Sequence, residues 1–223
     1  SLNENKEAID ALEQANTLAP KNPKTSFFLG LSYFADNQLD KAIYYLEKAD
    51  EQGYEPKDQL NLKLGDIYTL KKEYEKADTS YQDVLKNNKK DLQVFTRAIW
   101  INIDKIDNPE RALELAKIAI VNHPDQAMSY NLAGWAYTAL GEFKKGKQNL
   151  DKALSLDPKL DVANLNLGWL YEKKGSINLA KEYYKRAYIL AKSNSIGNSA
   201  AIRFNKLNQN ELKNYYQTNI ASP

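Results

Sequence analysis

Apolar residues in this chain recur three and four positions apart, the spacing that gathers them on one side of an α-helix. That helical pattern then repeats as a whole. Residues 161–194 carry Leu167, Gly168, Tyr171, Ala180, Tyr184 and Ala187, and 34 positions earlier the same slots hold Ala133, Gly134, Tyr137, Gly146, Leu150 and Ala153. Residues 23–56 present Leu29, Gly30, Tyr33, Ala42, Leu46 and Ala49; residues 58–91 present Leu64, Gly65, Tyr68, Ala77, Tyr81 and Val84. A fixed period of this length marks a stacked array of helix pairs rather than one globular core, so the predicted fold class is all-α.

The array has five tandem repeats over residues 23–194, with bounds 23–56, 58–91, 92–126, 127–160 and 161–194. The third is irregular. Ile99 stands in its glycine slot, Asn102 in its tyrosine slot, and one extra residue lies in its internal turn, where Asn108-Pro109 supplies an N-cap and a first-turn proline. Residues 1–22 fit the second helix of an incomplete repeat, with Ala8, Leu12 and Ala15 in the slots of Ala42, Leu46 and Ala49. The missing first helix leads us to expect further chain upstream. Residues 195–223 are expected to form a C-terminal capping helix or helices, a first one over 195–207 and a further short one near 211–217 docking through Leu212 and Tyr215, and then a loose tail.

Leu-Gly, two residues, Tyr, then Ala, three residues, an aromatic or Leu, two residues and Ala, often with a following Pro, resembles the tetratricopeptide repeat (TPR). The resemblance runs over about residues 8–194. It implies a right-handed superhelical solenoid of antiparallel helix pairs whose first helices line a concave surface. Small residues set the spacing: Gly30, Gly65, Gly134 and Gly168 should let the second helix approach over Ala42, Ala77, Gly146 and Ala180. Ile99 and Ala116 are expected to be a volume exchange within one core layer, bulky and small having traded helices.

Composition narrows the chemistry. Cysteine is absent, which removes disulfides, thiolate nucleophiles and cysteine-rich metal sites. The compartment stays open. The lone histidine, His123, precedes Pro124 in a turn between repeats, without the partners a nucleophile or base needs. With no phosphate-binding glycine loop either, the expectation is a protein with no active site, metal or cofactor. A mean hydropathy of −0.66 and the lack of a long apolar run argue against a membrane span in these residues. Residues 1–91 hold 13 basic and 17 acidic side chains and residues 92–223 hold 18 and 12, a mild gradient along a chain of net charge +2. That balance, with 27 Lys against 4 Arg, speaks against nucleic acid.

Trp100, Trp135 and Trp169 are the only tryptophans, 35 and 34 residues apart, each one position past the glycine slot. The resemblance places that slot on the inner surface, where the rings either brace adjacent repeats or contact a ligand. With Phe27, Leu31, Phe34, Asn131 and Glu172 they form the candidate partner-binding set. Inner positions are mostly apolar, so the expected partner is a protein or peptide that is apolar or aromatic rather than an acidic C-terminus. The protein reads as an interaction module or scaffold. The alternatives are a self-assembling solenoid, with a homo-oligomer formed through the orphan N-terminal helix, or an accessory domain of a larger membrane-associated protein or enzyme.

Overall fold

The structure, a computed structural model, describes residues 2–191 and 194–219, with side-chain surroundings for residues 6–191 and 194–209. Among the described residues all regular structure is helical: α1 Leu2–Leu18, α2 Pro23–Ala35, α3 Leu39–Glu51, α4 Lys57–Leu70, α5 Tyr74–Asn87, α6 Leu92–Asp104, α7 Pro109–Asn122, α8 Ala127–Ala139, α9 Phe143–Leu156, α10 Asp161–Lys173, α11 Ile177–Ala191 and α12 Ser195–Asn219. They gather into two compact units, Ser1–Asp107 with α1–α6 and Asn108–Pro223 with α7–α12. The division falls inside the irregular third repeat.

In the first unit α2 pairs with α3 and α4 with α5, α1 packs on α2, and α6 on α5. In the second, α8 pairs with α9 and α10 with α11, α10 also packs on α8, and α12 covers parts of α11 and α10. Start signals sit where the sequence puts them. Asn22 accepts from the Lys24 amide (3.0 Å) ahead of Pro23, and Asn108 accepts from the Arg111 amide (3.1 Å) ahead of Pro109. Each turn inside a repeat then contains one residue of positive φ: Asn37, Lys72, Asp107, Gly141 and Gly175. Glycine enters that conformation without a Cβ penalty and Asn or Asp tolerates it, but Lys72 does not belong there by preference.

The glycine slot works differently from the expectation. A Cβ on Gly65 would lie 2.6, 2.8 and 3.0 Å from three ring carbons of Tyr81; on Gly30 it would meet Leu46 Cγ at 2.6 Å, and on Gly134 Leu150 Cγ at 2.5 Å. Gly168 stands in the same relation to Tyr184. The glycine is therefore a notch for the bulky residue of the second helix, not chiefly for its alanine. Leu46, Tyr81, Leu150 and Tyr184 are fully buried in these notches. Gly146 has a separate reason: a Cβ there would be 2.9 Å from Thr138 Oγ1.

In the first unit the tyrosine slot ties each first helix to the helix before it. Tyr33 donates to Glu13 of α1, and Tyr68 donates to Glu47 of α3 at 2.6 Å. In the third repeat Asn102 keeps the same role with a different donor, its amide giving 2.6 Å to Asp78 of α5 and 2.9 Å to the Ala98 carbonyl. Over the ring lies a lysine of the repeat's own second helix: Lys41 on Tyr33 (4.8 Å), Lys76 on Tyr68 (5.2 Å) and Lys145 on Tyr137 (5.5 Å).

At the C-terminus the described residues form one continuous helix, α12. Asn208, Gln209 and Asn210 are modest helix formers, but none removes an amide or frees the backbone as Pro or Gly would, so α12 runs through them. Ala200 and Leu207 are buried and Phe204 partly so. The expected docking of Leu212 and Tyr215 lies outside the residues whose side chains are described, as does the tail beyond Asn219.

Two substitutions check this account. Gly65→Ala should lower stability by about 1–2 kcal/mol in chemical denaturation, because the ring-bound notch overrides the gain of ~1 kcal/mol that alanine brings to an exposed helix. Lys72→Gly, at an exposed turn with φ of 63°, should raise it by roughly 0.5–1 kcal/mol.

Candidate functional site

A bulky second-helix residue seated in the glycine notch points across the first helix. Where it is leucine nothing polar follows, but where it is tyrosine the hydroxyl emerges among first-helix side chains. Tyr81 donates to Asp66 Oδ1 at 2.9 Å and sits 3.2 Å from the Thr69 hydroxyl, which itself donates to the Gly65 carbonyl at 2.8 Å. From α6, Arg97 Nη1 reaches the same Asp66 oxygen at 2.8 Å. Trp100, one turn further along α6, stands edge-on to Tyr74 at 6.5 Å with the Lys105 ammonium 5.0 Å from its ring.

These residues bound an open groove of about 270 Å³ on α4 and α6, lined by Asp66, Thr69, Leu70, Tyr81, Arg97 and Trp100. Leu70 is 58% exposed and the Arg97 side chain 40%. Arg97 gives one N–H to Asp66 and retains further donors. The groove thus offers an apolar rim, an aromatic face and a cation whose charge is half satisfied.

The second unit repeats the arrangement with other spacing. Tyr184 donates to Glu172, which also receives Arg203 of α12 at 3.4 Å. Burial is the main cause holding the Tyr81 and Tyr184 hydroxyls above the ordinary tyrosine range, with their carboxylate partners adding to it. Trp169 lies under Lys173 at 5.3 Å, and Trp135 is on the neighbouring α8. All three tryptophans are partly buried, so each ring is seated in the protein and leaves some surface uncovered.

The other candidate residues separate by burial. Leu31 and Phe34 on α2 are partly exposed. Phe27 is 4% exposed and stacked on Tyr54 at 4.0 Å, and Asn131 is 1% exposed with its Oδ1 accepting from Asn166 at 2.9 Å; both are closed to a partner. Their helix register is that of the inner slots, but Phe27 is covered by Tyr54 from the end of its own repeat and Asn131 by Asn166 of the next one. Glu172 is engaged by Tyr184 and Arg203. Sequence reasoning passed over Arg97, although two of the four arginines lie within two residues of a glycine slot following a repeat with Tyr at the bulky position. His123 caps α7, its amide on the Ala119 carbonyl (2.8 Å) and its own carbonyl accepting from Ser129 (3.0 Å). Among the described residues no cluster of His, Cys, Asp and Glu has the grouping of a metal site.

A repeat of helix pairs with a glycine notch and a tyrosine tie matches one family model described as a tetratricopeptide repeat over residues 58–91, 127–160 and 162–194, and another of the same description over 1–56. The chain belongs to the tetratricopeptide repeat family. Uncharacterized protein ycf37 of Porphyra purpurea is 27% identical over 185 residues, covering 78% of this chain and 89% of that protein. BBSome complex member BBS4 of Bos taurus is 27% identical over 163 residues, 68% of this chain but 31% of that protein. Among solved structures the chain is similar to YrrB, described as a TPR protein with an unusual peptide-binding site, with a TM-score of 0.61 at 18% identity over 87% of this chain and 99% of the other. At that identity the likeness is one of fold.

The raised tyrosines give a pH dependence with a definite sign. A folded-state pKa above the unfolded value of about 10 contributes stability that is complete below that pH and declines as pH rises above it. Urea midpoints should therefore fall on going from neutral pH to above about 10, and the loss should be smaller in Tyr184→Phe relative to its own neutral-pH midpoint. Equal losses in both proteins would show that Tyr184 is not a source of it.

Proposed function

The TPR fold is a scaffold for protein–protein interaction, and we propose that this chain performs that role by holding a short segment of a partner in the α4–α6 groove. The observation that carries the reading is the meeting of exposed Leu70, partly exposed Trp100 and half-satisfied Arg97 over one opening. An apolar or aromatic side chain lies against Trp100 and Leu70, while Arg97 takes an acceptor of the partner. Leu31 and Phe34 on α2 extend the apolar surface within the first unit, and Trp135 and Trp169 form a second aromatic surface within the other. That YrrB is described as binding a peptide supports the class of ligand.

A second reading has its own observation. Ala8 is exposed and Leu12 and Ala15 only partly buried, whereas Ala42, Leu46 and Ala49 in the same slots are fully buried. α1 thus shows the face that a first helix covers elsewhere, and a second molecule could supply it.

Peptides selected on the wild-type protein from a random displayed library provide the test. Trp100→Ala should weaken the enriched peptides by about 30-fold, the size of a hot-spot loss of ~2 kcal/mol, with helicity by circular dichroism retained. Undiminished affinity would move the site off this groove.

A further inference from the structure

A second surface, on α11 and α12, has nothing to do with the groove above. Its nature follows from comparing α12 with α10, which starts 34 residues earlier. Gly197 and Ala200 remain buried like their counterparts Ala163 and Asn166, since they face the preceding repeat. The other side of the helix opens. Leu167 and Leu170 are fully buried, but Ala201 and Phe204 in their slots are only partly so; Tyr171 is 9% exposed, but Asn205 is exposed. In the glycine slot stands Ile202, 69% exposed. On α11, Tyr188 is 44% exposed where Leu154 of α9 is partly covered.

In the preceding repeat the helix that covers these positions is α11. Here Tyr184, Lys185 and Tyr188 of α11 and Ala201, Phe204 and Asn205 of α12 bound an open hollow of about 360 Å³, and the exposed Ile202 follows Ala201 of that lining in the chain. α12 itself continues as helix to Asn219, so it does not fold back as a second helix would. We propose that this hollow is a docking site for one amphipathic α-helix of a partner protein, seated as the second helix of a sixth repeat. The chemistry of that helix follows from Ile202. Every glycine notch receives Leu or Tyr, and an isoleucine in the notch removes that space, so the incoming helix carries Ala or Gly at the facing position. A helix of this kind occurs in the chain itself: α7 carries Ala116 where α3, α5, α9 and α11 have Leu or Tyr. Lys185 on the rim favours a carboxylate along the edge of the partner helix. By the same size rule α1 of another copy is a poor occupant, because it brings Leu12 to Ile202.

The probe is a helix-stabilised peptide copying residues 108–124, the second helix that follows an isoleucine slot. Fluorescence anisotropy against the full chain should show saturable binding, weakened by about ten-fold or more both by Ile202→Asp in the protein and by Ala116→Leu in the peptide, and unchanged by Trp100→Ala. Ile202 is mostly exposed, so its substitution leaves the core intact. Absence of binding, indifference to Ile202→Asp, or loss on Trp100→Ala would each overturn the proposal, the last by placing the peptide in the α4–α6 groove. Self-association in sedimentation that Ile202→Asp abolishes would also overturn it, by assigning the hollow to a second copy.

Discussion

The structure depends on one steric relation, a missing Cβ on the first helix of a repeat against one bulky side chain of the second. Backbone and ring or branched carbon come so close that no other residue fits without displacement. Four repeats share the relation, with leucine in two and tyrosine in two. Because a notch seats one bulky side chain at one point along the helix, it fixes both the separation of the two helices and their relative register, and the small residues beside it fill what remains. The chain needs few long-range instructions beyond it. Each repeat sets its own geometry and then stacks on its neighbour.

The same relation explains where polar chemistry appears. A leucine ends inside the notch, but a tyrosine is long enough for its hydroxyl to reach the far side of the first helix, where it requires an acceptor. Asp66 and Glu172 supply one, from different positions on their helices, and an arginine of the following helix balances each carboxylate. The groove on α4 and α6 is thus built partly by a core residue of α5. Changing Tyr81 to leucine would alter packing little in volume, yet it would remove the group that orients Asp66 and, through it, Arg97.

Much of this was legible in the chain because a repeated pattern is read several times over. The helix pairs, the orphan second-helix pattern of α1 and the tryptophan positions all follow from period and slot. Slot alone does not tell which neighbour a residue meets. Gly65 was assigned to Ala77 by proximity of pattern, when the ring four residues on is the closer body. Phe27 and Asn131 have the register of exposed inner residues but are covered by Tyr54 and Asn166, one across the turn and one a repeat away. Arg97 was overlooked because its meaning depends on a tyrosine sixteen positions earlier in another helix. The continuation of α12 past Asn210 reflects how weakly Asn and Gln oppose a helix already begun.

The tyrosine ties have a direction. Tyr33, Tyr68 and Asn102 all reach backward, to Glu13, Glu47 and Asp78, so in the first unit each first helix is fastened to the second helix before it by a polar bond as well as by packing. A repeat therefore holds its predecessor in place, like courses of a wall keyed from above. α1 has no earlier helix in the described residues to hold and is itself held through Glu13, Asn16 and the Pro20 carbonyl. Opening of the first unit from that end costs only one set of ties at a time, which makes its stability a graded property along the chain rather than a single threshold.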